Sequence, residues 1–124
     1  MKPRTYLSIP LFLVFSTLAF SQSTGIDAAL NKGNAADLGV FFAEKLDVSI
    51  LDFDGSLSSD AAVTRVQDFF AQNAVKGYKR AHLTAATAGR SAYTLGDLST
   101  STGTYRTYLY YDSKQKISEI RIEK

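Results

Sequence analysis

Hydrophobic positions repeat first at helical spacing, then in alternation, then at helical spacing again, and finally in alternation to the end of the chain. Ile26, Ala29 and Leu30 share one helical face, and Thr24 with Asp27 resembles a capping box that carries Asp in place of Glu. Gly33 is the expected stop. Asn34 then caps a second short helix. Asp37 falls in its first turn, where the helix dipole favours negative charge, and Leu38, Phe41 and Phe42 form its apolar stripe. From Leu46 to Phe53 the period becomes two, with Leu46, Val48 and Ile50 alternating against Asp47, Ser49 and Leu51, which predicts a strand. Asp54-Gly55 predicts a hairpin turn, because both central residues of a type I′ turn need positive φ. A short return strand follows over Ser56–Ser58.

Ser59 is the expected cap of the longest helix, which runs from Asp60 to about Ala74. Its Ala62, Val63, Val66, Phe69 and Phe70 lie on one face, opposite Arg65, Gln67, Asp68 and Gln72. After Gly77 four strands are predicted: Tyr78–Thr87, Ser91–Leu98, Thr104–Asp112 and Lys116–Glu123. Their short connections join only antiparallel neighbours. The sum is an α+β domain, with N-terminal helices packed on one face of a curved antiparallel sheet.

The first 21 residues carry a different signal. Lys2 and Arg4 precede an apolar run from Tyr6 to Phe20, and the small residues Ala19 and Ser21 stand just before Gln22. This is the layout of a cleavable secretory signal. The run is shorter than the roughly 20 residues that span a bilayer, and the chain has no cysteine to lipidate. Residues 1–21 are therefore expected to be a signal peptide and residues 22–124 a single domain, exported to the periplasm or medium with no stable membrane anchor.

Removing 21 residues from 124 leaves 103, enough for one apolar core. That core has to suffice, since a chain without cysteine forms no disulfide. Lys2 and Arg4 leave with the signal, so the 14 basic residues become 12, equal to the 12 acidic ones. Near-neutral, mixed charge argues against nucleic acid and against polybasic membrane binding. No repeat of 20 to 50 residues is present.

The element order resembles the cone-shaped nuclear transport factor 2-like fold. The last third carries a narrower likeness, in Lys79-Arg80-Ala81-His82, Tyr93-Thr94-Leu95-Gly96-Asp97-Leu98-Ser99-Thr100, Gly103-Thr104-Tyr105-Arg106-Thr107-Tyr108 and Ile120-Arg121-Ile122-Glu123. With Asp68-Phe69-Phe70 and the Ser-Gln junction, these resemble a family of small uncharacterised exported domains, found mainly in Bacteroidota, with a nuclear transport factor 2-like (cystatin-like) fold. Thr84 departs from that pattern, in which glycine is more usual. The resemblance implies a fold and a compartment, and no assigned activity.

Candidate chemistry is sparse. Alternation puts Ala81, Leu83 and Ala85 on one face of their strand and Arg80, His82 and Thr84 on the other. The apolar set is expected to face the helices, so His82 faces outward. One histidine does not make a metal site without further ligands. Asp52, Asp54 and Asp60 lack the glycine and glutamate positions of a calcium loop, and a turn followed by a helix start explains them. No metal and no cofactor are expected.

Some enzymes of the nuclear transport factor 2-like fold move protons in the cone with a carboxylate base and a tyrosine donor, and Asp97 with Tyr93 or Tyr105 is the pairing here that could imitate them. The alternative reading is thus small-molecule binding in the cone, with isomerase- or dehydratase-type proton transfer.

The favoured reading comes from the tyrosines. Tyr105, Thr107, Leu109 and Tyr111 share one face of their strand, against Arg106, Tyr108 and Tyr110. In the last strand Ser118, Ile120 and Ile122 oppose Glu119, Arg121 and Glu123. If the aliphatic residues face the helices, His82, Arg106, Tyr108, Tyr110, Glu119 and Arg121 gather on the outer surface. Tyrosine and arginine are enriched at binding hot spots, while cross-strand pairing on a half-exposed sheet explains the same pattern without a partner. The expectation is a non-catalytic binding or interaction domain acting through His82, Arg106, Tyr108 and Arg121. Its partner would be a second copy (a homodimer) or an envelope protein. Whether Phe41, Phe42, Phe69 and Phe70 plug the cone separates the two readings.

Overall fold

The computed structural model describes residues 24–124. The segment expected to be a signal peptide, with its expected cleavage junction, lies outside the described residues. Helix α1 runs through residues 24–32 and buries Ile26, Ala29 and Leu30, as its spacing requires. Gly33 ends it at φ +65, close against Val75, where a side chain would be both strained and crowded. Asn34 caps α2 (Ala35–Gly39), its side chain accepting from the Asp37 amide at 3.0 Å.

Helix α2 is shorter than its apolar stripe suggests. Phe42 opens strand β1 (Phe42–Ile50), opposite Ile117, and the Ile117 amide donates to the Phe41 carbonyl at 2.8 Å. A ready strand partner thus takes the backbone that a further helical turn would have used.

Strand β2 (Phe53–Ser58) returns antiparallel to β1. The turn between them is Leu51-Asp52, not Asp54-Gly55: Asp54 and Gly55 sit inside β2, opposite Ser49 and Val48. Leu51 adopts φ 53, and its amide donates to the Ile122 carbonyl at 3.0 Å. The Arg65 guanidinium lies 3.8 Å from the centre of the Phe53 ring, which ties the hairpin to the next helix. That helix, α3 (Ser59–Gln72), is capped by Ser58, one residue earlier than expected, and buries Ala62, Val66, Phe69 and Phe70.

Strands β3 (Val75–Thr84), β4 (Tyr93–Thr100), β5 (Gly103–Tyr111) and β6 (Ile117–Glu123) complete a curved sheet in the order β2-β1-β6-β5-β4-β3. Every neighbouring pair is antiparallel except β1 with β6, which run parallel, with Val48 opposite Ile120 and Ile50 opposite Ile122. This pairing brings the two ends of the sheet sequence together at its middle. Leu30, Leu38, Val48, Val66, Leu98, Leu109, Ile117, Ile120 and Ile122 are fully buried around it. The α+β class and the helices-on-sheet arrangement hold, with one parallel pair in an otherwise antiparallel sheet. Phe42, Phe69 and Phe70 are buried in this core and Phe41 is half-buried, so the aromatics fill much of the interior. At the free edge of β3, Asn31 of α1 accepts from the Tyr78 amide at 3.0 Å, which covers part of an otherwise open strand.

Candidate functional site

The outer face of β3 to β6 is laid out in cross-strand rows. One row runs His82, Leu95, Tyr108, Arg121, and the next runs Lys79, Asp97, Arg106, Glu123. A third runs Thr84, Tyr93, Tyr110, Glu119. All four expected binding residues, His82, Arg106, Tyr108 and Arg121, therefore share one surface, three of them in a single row. Tyr108 and Tyr110 stack with centroids 6.4 Å apart and rings 12° from parallel, and Tyr93 lies 5.4 Å from Tyr110. These rings are half-buried, while His82, Arg106 and Arg121 are exposed.

The Arg121 guanidinium donates to the Glu119 carboxylate at 3.1 Å, and hydrogen bonding to Tyr108 is the first cause that raises the Arg106 pKa. The Arg121 guanidinium is thus turned along β6 toward Glu119.

The residues of the alternative cavity site do not come together. Tyr93 and Asp97 belong to the outer set of β4, because the inner set is Thr94, Gly96, Leu98 and Thr100, all buried. Tyr105 faces inward on its own, with its hydroxyl bonded to Thr102 at 2.9 Å and to the Asn73 amide oxygen at 3.3 Å. Its ring meets Phe69 edge-on at 5.2 Å. A tyrosine so committed is part of the core.

Different polar residues face the cone. Strand β3 carries a bulge between Arg80, opposite Gly96, and His82, opposite Leu95. The extra residue, Ala81, flips the alternation. Arg80 consequently joins the inner face, where its guanidinium lies 3.6 Å from the Asp27 carboxylate of α1. Leu83 is inward as expected, yet 64% exposed, because it passes beyond the end of the helical layer.

Tyr78 lies across Gly96, and its hydroxyl has no hydrogen-bond partner among the described residues. The hydroxyls of Thr94 and Tyr111 bond to each other at 3.0 Å. Burial raises the pKa of Tyr78, Tyr111 and Asp27, and Arg80 opposes the shift at Asp27. The phenols therefore stay protonated donors. A glycine inside an alternating strand signals close approach of another group, so Gly96 was the available clue to Tyr78. The bulge that turns Arg80 inward leaves no such mark.

Next to this cluster is a cleft of about 410 Å³. Ile26 and Leu83 form its sides, Ala85, Ala86 and Ala92 its rim, Thr94 and Tyr111 its floor, and Asp112, Ser113 and Gln115 its far end. A smaller hollow of about 260 Å³ lies between the β1–β2 turn and α3, beside Asp52, Arg65 and Asp68. Among the described residues no group of three or more His, Cys, Asp or Glu could hold a metal ion, and no helix is long and apolar enough to cross a membrane.

A family model described as a domain of unknown function, DUF4783, matches residues 23–123. The chain belongs to the DUF4783 family. A crystal structure of a DUF4783 protein from Bacteroides fragilis is 29% identical, covering 81% of this chain and 95% of that one, with a TM-score of 0.73. A second, from Bacteroides ovatus, is 25% identical over 81% of this chain and 92% of that one, with a TM-score of 0.71. An NTF2-like protein of unknown function from Cytophaga hutchinsonii is 14% identical over 81% and 83% of the two chains, with a TM-score of 0.57, and shares the fold. No curated protein matches the chain. The DUF4783 domain thus has the cone-shaped NTF2-like architecture.

Proposed function

We propose that this DUF4783 protein is an exported, non-catalytic interaction domain that docks a second copy of itself through the outer sheet face. The observation that carries the reading is the row Lys79, Asp97, Arg106, Glu123, whose charges alternate in sign across four strands. A two-fold axis along the strands, between β4 and β5, reverses the row in the partner. Lys79 then faces Glu123 of the partner subunit, and Asp97 faces Arg106 of the partner subunit. The same operation sets Leu95 against Tyr108 and Tyr93 against Tyr110. Such a patch is self-complementary, as an isologous dimer interface requires. Charge complementarity fixes register and excludes other partners, while the tyrosines supply contact area.

Lys79 and Glu123 stand on opposite flanks of the row, so they make a clean test. Lys79→Glu and Glu123→Lys should each weaken dimerisation in analytical ultracentrifugation, and their equimolar mixture should restore it as a heterodimer. A wild-type protein that stays monomeric, or single variants that dimerise like wild type, would overturn the reading. Tyr108→Ala with Arg121→Ala should leave folding intact and cost ~2 kcal/mol of association per hot-spot residue. Export rests on the N-terminal signal pattern, and N-terminal sequencing should find Gln22 first. Intact Met1 in a detergent-requiring membrane fraction would refute it.

A second reading, small-molecule binding in the cone, is favoured by the 410 Å³ cleft beside α1. Proton transfer by Asp97, Tyr93 and Tyr105 is no part of it, since two of those residues face outward.

A further inference from the structure

The cleft has apolar walls, a pair of hydroxyls on its floor and a polar end at Asp112, Ser113 and Gln115. Its volume of about 410 Å³ falls in the range of small-molecule sites, roughly 300–1,000 Å³. Leu83 is a large aliphatic side chain left 64% exposed within a concavity, and the neighbouring alanines keep the slot wide. Thr94 is only 3% exposed. Its hydroxyl and that of Tyr111 carry two protons and share one hydrogen bond of 3.0 Å, so one O–H remains to be donated. On the floor of an open cleft that donor meets water, and a ligand oxygen placed there takes over the bond.

Charge narrows the ligand further. Among the described residues no lysine, arginine or histidine lines the cleft, and Asp112 at its end is a carboxylate. Arg80, behind the floor, is paired with Asp27. An anion would meet no free cation and one like charge. Asp112 in turn holds its own turn, one oxygen accepting from the Lys114 and Lys116 amides at 2.9 Å each, which weakens the case for a cationic ligand.

We propose that the cleft binds a small neutral amphipathic molecule with one oxygen acceptor, such as a ketone, ester or amide. The oxygen accepts from the Thr94–Tyr111 hydroxyl pair, and the apolar part lies against Ile26, Leu83 and Ala92. This rests on the second reading given above and specifies its ligand class.

Prodan, a neutral naphthyl ketone whose emission shifts to the blue on leaving water, is the probe. It is titrated into protein purified after expression of the full chain, with 2-ethylnaphthalene as the matched hydrocarbon competitor. Binding by wild type is expected. Tyr111→Phe with Thr94→Val should weaken prodan on the order of tenfold and leave the hydrocarbon unaffected. Tyr111→Phe alone serves if the double variant fails to fold. Leu83→Arg, at an exposed position, should abolish both.

2-Octanone should displace prodan better than octanoate or octylammonium. If prodan binds but the hydroxyl variants match wild type, or if a charged competitor displaces best, the ligand class is wrong while the cleft reading survives. If wild type gives no blue shift, or Leu83→Arg leaves it unchanged, the cleft reading itself fails.

Discussion

Gly96 offers the sharpest test of how the inner face is built. It sits on β4, with the Tyr78 ring laid over it. A Cβ added there would come within 2.3 Å of the Tyr78 hydroxyl oxygen, 2.4 Å of Cζ and 2.6 Å of one Cε. All three are far inside ordinary contact distance, and a phenol ring cannot bend at its tip. Either the ring swings out of the core or β3 moves. Overpacking of this kind costs ~1–3 kcal/mol, offset by the ~0.5–1 kcal/mol that alanine gains over glycine in a strand. Because three ring atoms are hit together, the upper part of the range applies, and Gly96→Ala should destabilise by about 2 kcal/mol. In a domain of this size that lowers Tm by roughly 10 °C.

Tyr78→Leu keeps the site apolar and removes the clashing atoms. In that background Gly96→Ala should be neutral or slightly stabilising, which makes the coupling energy about 2 kcal/mol or more. Urea unfolding of the four proteins measures it. Additivity within ~0.5 kcal/mol would mean that the ring does not rest on Gly96, and the account of the inner face would have to be abandoned.

Two other perturbations follow from the same face. Thr107 is fully buried and its hydroxyl has no hydrogen-bond partner among the described residues, so Thr107→Val should stabilise by ~1 kcal/mol; a lower urea midpoint at unchanged slope would show that the hydroxyl is held after all. The folded pKa of Asp27 is raised above 3.8, by burial first and against the pull of Arg80. The folded state therefore binds this proton more tightly than the unfolded chain does. The stabilisation is complete below pH 3.8 and is lost as pH rises through the folded value. Asp27→Asn removes that dependence, so its stability relative to wild type should rise with pH across this window in paired melts. A relative stability that falls with pH would mean that Arg80 outweighs burial.

The burial stripes were legible in the sequence because they depend only on local period. Ile26, Ala29 and Leu30, or Ala62, Val66, Phe69 and Phe70, cannot share a face in any conformation other than a helix. Alternation likewise placed His82, Tyr108 and Arg121 on one surface. What was hidden is non-local. The parallel pairing of β1 with β6 joins segments some 70 residues apart, and it decides where α2 stops by taking the Phe41 carbonyl. It also decides the first hairpin. Leu51 accepts φ 53 because its amide meets Ile122, and that tertiary bond overrides the stronger local turn signal of Asp54-Gly55. At β3 the failure has one cause. A single inserted residue, Ala81, reverses the facing of β3 on either side of it, so Arg80 and His82 part company although they are two apart in sequence.

The same strands serve both surfaces, which constrains how either could change. Tyr93 and Thr94, Leu95 and Gly96, and Tyr110 and Tyr111 are sequence neighbours that point to opposite faces. A slip of one residue in β4 would send Thr94 and Gly96 outward and drive Tyr93 and Asp97 into the core. Both the charged rows and the hydroxyl pair of the cleft therefore depend on one register. Burial of Leu98 sets that register broadly, since a slip of β4 would expose it. Gly96 sets it more finely, because Tyr78 can lie flat only over a position without a side chain. The glycine thus acts on the outer face as well. By fixing where β3 and β4 meet, it aligns Lys79 with Asp97 and His82 with Leu95. The stability lost in Gly96→Ala measures how firmly that alignment is held.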